Sequence, residues 1–190
     1  YVYKKLKDYQ KVIFYLEKAK AVFVEEGNKM EIGNINLELG NTHVEMSKQD
    51  KALEYFIEAK KLFEEIGAKK ELSIVFERIG IAYHSKNEYK KAIESFEQAL
   101  KLTRANNDKQ QLAQTEINMA MSYLSMEKYE LAVSALQDAM KVSQEINYMK
   151  GYAAALNQLA PVYIKWNNLE KALEYFEEAL KINEQIGDVM

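Results

Sequence analysis

Residues 79–100 read Ile-Gly-Ile-Ala-Tyr-His-Ser-Lys-Asn-Glu-Tyr-Lys-Lys-Ala-Ile-Glu-Ser-Phe-Glu-Gln-Ala-Leu. Their skeleton is a small residue at Gly80, an aromatic at Tyr83, then Ala92, Phe96 and Ala99. The skeleton recurs at a spacing of 40 residues in both directions. Gly40, Ala120 and Ala160 match Gly80; His43, Tyr123 and Tyr163 match Tyr83; Phe56, Leu136 and Phe176 match Phe96. Ala52, Ala132 and Ala172 match Ala92, and Ala59, Ala139 and Ala179 match Ala99. Between the copies fall Gly27, Gly67, Asn107, Asn147 and Gly187, residue types that tolerate the left-handed backbone ending a helix.

Each unit carries two amphipathic stretches with apolar residues at i, i+3, i+4 and i+7, the period of a helix buried along one face. The first helices are expected near 29–46, 69–86, 109–126 and 149–166. The second helices are expected near 49–66, 89–106, 129–146 and 169–186. One proline and seven glycines in 190 residues leave little punctuation for strands and loops. Links of two or three residues force antiparallel neighbours, so the fold expected is all-α, a stacked solenoid of helix hairpins. Glycine or alanine at the small slots lets two helix backbones approach, and the aromatic fills the space beside them.

These residues resemble the tetratricopeptide repeats. Leu39-Gly40-x-x-His43 with Ala52, Phe56 and Ala59 carries the likeness, as does Leu169-Glu170-Lys171-Ala172-Leu173-Glu174-Tyr175-Phe176. The resemblance implies a right-handed superhelical array that binds protein segments. The period of 40 is similar to that of bacterial Rap, NprR and PlcR-type peptide-pheromone receptors, spindle-orientation adaptors and some kinase sensor regions. One departure is the large residue four positions before the small slot, where Asn36, Phe76, Glu116 and Leu156 stand and only two comply.

Counting back by 40 places a second helix at about 8–26. The expected organisation is one repeat domain over 1–190: a truncated repeat at 1–28, then full repeats at 29–68, 69–108, 109–148 and 149–190. The start inside a repeat and the lack of an initiator methionine read as part of a longer protein. Apolar end surfaces are expected at Val2, Ile13 and Phe14, and at Leu173, Leu180 and Ile182.

Chemistry-bearing motifs are scarce. There is no cysteine, and the two histidines form no His-Glu-x-x-His pair, so no metal site is expected. His43 reads as a hydrogen-bonded core histidine. No phosphate loop, Gly-x-Ser-x-Gly elbow or kinase signature occurs. Glu64-Glu65 and Glu177-Glu178 lie on lysine-patterned faces, which are usually solvated. The expectation is a non-enzyme without cofactor. A net charge of −3, with Arg78 and Arg104 the only arginines, argues against nucleic acid. No apolar run reaches a membrane span, and a cytoplasmic location is expected.

In the array that the resemblance implies, the first helices line a concave groove. Counting from the small residue places the peptide-binding groove at Asn34, Asn41, Glu77, Ile81, His84, Gln114, Met121, Leu124, Asn157 and Ile164. Pro161 and Lys165 share this register. An apolar floor of Ile81, Met121, Leu124, Pro161 and Ile164 with amide walls suits a peptide, whose backbone can pair with Asn and Gln. Lys165 is the only basic residue among these positions, while Glu45 and Glu77 repel carboxylates, so acidic chaperone tails are not the expected partner. The function expected is a protein- or peptide-binding scaffold. The alternative is a peptide-sensing regulatory domain of a bacterial signalling protein whose effector lies elsewhere. Exposed ends make self-association a further expectation. Pro161 is expected to remove one helical donor and free the Asn157 carbonyl.

Overall fold

The computed structural model describes residues 8–187, and Val2 therefore lies outside the described residues. Nine helices are described: α1 Tyr9–Glu25, α2 Lys29–Glu45, α3 Gln49–Ile66, α4 Lys69–Ser85, α5 Tyr89–Asn106, α6 Lys109–Ser125, α7 Tyr129–Glu145, α8 Met149–Lys165 and α9 Leu169–Gln185. No strand occurs among the described residues. The protein is an all-α array of helical repeats. The helices divide into two compact units, with the boundary between Leu102 and Thr103.

Within the first unit, α2 packs on both α1 and α3, and α4 packs on α3. The second unit has the same logic: α6 pairs with α7, α8 packs on α7, and α9 packs on α8. Asp8, Asn28, Asp108 and Asn168 cap their helices, each side chain accepting from the backbone N–H three residues on. The links are short left-handed turns. Gly27, Gly67, Gly187, Asn107 and Asn147 have φ between 54° and 71°, as their residue types suggest. Ser47, Asn87, Glu127 and Asn167 adopt the same conformation inside each hairpin. Each such turn lets a carbonyl of the preceding helix accept from the residue beyond the turn, as His43 does from Lys48 N and Tyr163 from Asn168 N.

All twelve recurring small positions are buried. The glycines among them serve the phenyl ring of the same hairpin. A Cβ on Gly80 would lie 2.5 Å from Cε1 of Phe96, and one on Gly40 would collide with Phe56. Phe56, Phe96 and Leu136 are fully buried at the matching slots. In the last hairpin alanine replaces the glycine at Ala160, and Phe176 is left 41% exposed. The pairing is steric: glycine admits a ring into the seam, whereas a methyl occupies that space.

The slot that departs from the family pattern carries the least ordinary burial. Leu156 is wholly enclosed, but Asn36 is buried with its Oδ1 unpartnered. Glu116 is only 3% exposed. His43 is buried and stacked on Tyr55 at 5.4 Å between centroids, with Nδ1 lacking a partner. Nδ1 therefore takes no part in the hydrogen bonding expected of this histidine, and stacking on Tyr55 packs the imidazole. Burial, followed by the charges of Lys48 and Lys51, lowers its pKa.

The ends correct one expectation. Phe14, Leu173 and Leu180 are exposed as anticipated, but Ile182 is buried in a cluster with Tyr152, Leu156 and Ala179. It sits on the α8 side of α9, half a turn from the exposed stripe.

Candidate functional site

The first helices of successive hairpins touch within each unit, α2 with α4 and α6 with α8, so each unit presents its own first-helix face. In the first unit this face contains Asn34, Asn41, Ile81 and His84, all half-buried, and Asn41 Nδ2 donates to Glu38 Oε1 at 3.4 Å. Glu77 is buried, so it does not present an open carboxylate. His84 packs against Tyr89 with centroids 5.3 Å apart, and burial lowers its pKa. Polar residues dominate this face, with Ile81 its one apolar member among the four.

The second unit is more apolar. Met121 is 37% and Ile164 48% exposed, with Pro161 open to solvent between them and Leu124 half-buried. Met121, Pro161 and Ile164 are not among the residues packed on the core that Ile117, Ala120, Leu136, Ala155, Leu159 and Val162 form, whereas Leu124 packs against it. Gln114 is engaged internally: its Oε1 accepts from Tyr148 Oη at 3.3 Å, and its Nε2 donates to Asn118 Oδ1 at 3.4 Å. Ser125 Oγ donates to the carbonyl of Met121 at 3.0 Å, which keeps that hydroxyl on its own helix. The helix α8 runs from Met149 through Pro161 to Lys165. Because proline has no N–H, the Asn157 carbonyl lacks its helical donor.

A pocket of about 470 Å³ opens between α6, α7 and α8. Leu124, Pro161, Val162 and Ile164 form its apolar wall; Tyr129, Gln158 and Lys165 complete it. Four positions placed by counting thus converge: Leu124, Pro161, Ile164 and Lys165. Gln114, Met121 and Asn157 are not part of that lining. Counting missed Tyr129, Gln158 and Val162, the last of which also belongs to the core. Tyr129 opens the second helix, outside the register counted, and Gln158 lies one residue past Asn157.

One further group was not recognisable as ionisable machinery. Glu116 Oε1 accepts from Arg104 Nη2 at 3.2 Å, while Oε2 is buried without a partner. Its pKa is pushed up to about 7, chiefly by burial and then by the charge of Asp138, against the pull of Arg104. No group of three or more His, Cys, Asp or Glu among the described residues could hold a metal ion. No described helix is long and apolar enough to cross a membrane.

The repeat skeleton and its hairpins match the tetratricopeptide-repeat family model over residues 31–105 and 111–185. The chain belongs to the tetratricopeptide-repeat family. This fold is generally a non-catalytic scaffold whose members bind protein or peptide partners. A search of curated proteins by sequence finds no match. Among solved structures, the tetratricopeptide-repeat chain is similar to aspartyl phosphate phosphatase F from Bacillus subtilis, with TM-score 0.91 and 19% identity over 99% of this chain and 49% of that one. BtubC (BKLC) from P. vanneervenii gives TM-score 0.88 and 17% identity over 99% of this chain and 78% of that one. A Rap protein complexed with competence and sporulation factor gives 0.83 and 16%, over 98% of this chain and 52% of that one. At these identities the likeness is one of fold, and the chain spans about half the length of both the phosphatase and the Rap protein.

Proposed function

We propose that the chain is a non-catalytic scaffold module that binds a peptide or protein segment on its first-helix faces. One observation carries the reading: Met121, Pro161 and Ile164 stay exposed on the α6–α8 face while the core slots beside them are filled. A soluble surface that gathers apolar side chains around a pocket is characteristic of an interaction site. The net charge of −3 supports a protein ligand over nucleic acid. A regulatory form of the same reading, in which the bound peptide acts on a region outside these residues, draws on the likeness to the Rap protein complexed with competence and sporulation factor.

Selection from a random 12-residue peptide display library tests the reading, with a Met121→Glu, Ile164→Glu variant of unchanged helicity as control. Enrichment by the wild type that disappears in the variant is expected. Enrichment equal in both, or absent from the wild type, overturns it.

A further inference from the structure

We propose that the α6–α7–α8 pocket takes one large apolar side chain of an extended peptide together with a carboxylate immediately beside it. The inference rests on the peptide-binding reading and names the chemistry of the peptide. Leu124, Pro161, Val162 and Ile164 supply an apolar wall, so burial of a Leu, Met or Phe side chain drives entry. The pocket volume of about 470 Å³ lies within the range that holds small ligands, so such a side chain and its flanking backbone fit.

The rim sets the polarity. Tyr129, Gln158 and Lys165 have no hydrogen-bond or ion-pair partner among the described residues. Other lysines, such as Lys86 with Asp50 and Glu88 and Lys109 with Glu145, are held in ion pairs. Lys165 is the one charged group of the pocket and faces no carboxylate there, so the complementary ligand charge is negative. The pocket supplies one cation and takes one carboxylate, unlike the several basic residues that clamp an acidic tail. The rim also sets the backbone requirement: the Gln158 amide offers both a donor and an acceptor to a peptide backbone. A helical ligand has already used its own backbone groups, so an extended one fits better.

The test begins with 12-residue display selection on the wild type and on Lys165→Glu, whose folding is checked by circular dichroism. The strongest wild-type peptide is then synthesised with its acidic residue as Glu, Gln or Lys, and binding is read by fluorescence anisotropy. We expect apolar–acidic pairs to be enriched and Glu→Gln to weaken binding about five-fold, the scale of an exposed ion pair. Lys165→Glu should reverse the preference so that the Lys peptide binds best, a charge swap that a lysine serving only to stabilise its helix end would not produce. Peptides lost in Met121→Glu, Ile164→Glu but indifferent to their own charge and to Lys165 overturn this inference and leave the broader reading standing. A selection enriched in helix-forming sequences overturns it as well. No selected peptide at all overturns both.

Discussion

Glu116 makes the stability of the second unit depend on pH in a direction opposite to that of most carboxylates. Its pKa is about 7 in the folded chain against an ordinary 4.5. Between these values the folded state holds the proton and the unfolded state does not. Its contribution is therefore complete below about pH 4.5 and is lost as pH rises through about 7. At 1.36 kcal/mol per unit, the full difference approaches ~3 kcal/mol, and solvent screening brings it to about 2 kcal/mol. The two histidines act in the reverse sense, since burial lowers both and favours their neutral forms at higher pH. Comparison with Glu116→Gln cancels that contribution, because distant sites add. Urea unfolding followed by circular dichroism at pH 5 and pH 8 gives both profiles. From pH 5 to pH 8 the wild type should lose about 1.5 kcal/mol relative to Glu116→Gln, since pH 5 already lies above the unfolded value. Profiles parallel to within about 0.5 kcal/mol would refute a buried, protonated Glu116. Glu116→Leu, the residue type at the matching Leu156, should also remove the dependence.

Three further outcomes follow from the packing. Gly80→Ala drives a methyl into the Phe96 ring and should cost about 1–3 kcal/mol in urea unfolding, recovered in part by Phe96→Leu. Glu127→Gly relieves a left-handed turn with φ of 57° and should raise stability by about 1 kcal/mol, read as a higher urea midpoint at unchanged slope. Leu173→Gln, at a position 57% exposed, should leave stability within about 0.5 kcal/mol, whereas Leu53→Gln at the buried matching position should lose more than about 2 kcal/mol.

The architecture was legible because the period places every small slot in register, and burial at those slots is what period selects. The helix starts near 29, 109 and 169 follow from the same period, and the structure adds the side-chain caps Asn28, Asp108 and Asn168 that fix them. The left-handed turns at Ser47 and Glu127 were not legible, because neither residue type favours them and only the closing of the hairpin imposes them. Register also brought Leu124, Pro161, Ile164 and Lys165 to one face, but it could not show that Glu77 is buried or that Gln114 is tied to Tyr148. Those depend on side-chain direction across two helices. Position alone marked Glu116 as a misfit in its slot; its retained proton needs the enclosure and the neighbouring Asp138, which only the folded chain supplies.

The last helix illustrates what neighbour-only packing means for motion. Among the described contacts α9 rests on α8 alone, and its buried residues are Ala172, Ala179 and Ile182. Detaching it opens a single interface, the cluster of Tyr152, Leu156, Ala179 and Ile182, whereas α6, α7 and α8 each touch at least two helices. It is therefore the cheapest element of its unit to open, and opening proceeds from there toward α6 rather than all at once. Amide protons should accordingly exchange in a gradient, fastest in α9 and slowest around Leu136. A protease meeting the native chain would trim α9 well before it reached the pocket that Leu124 and Ile164 line.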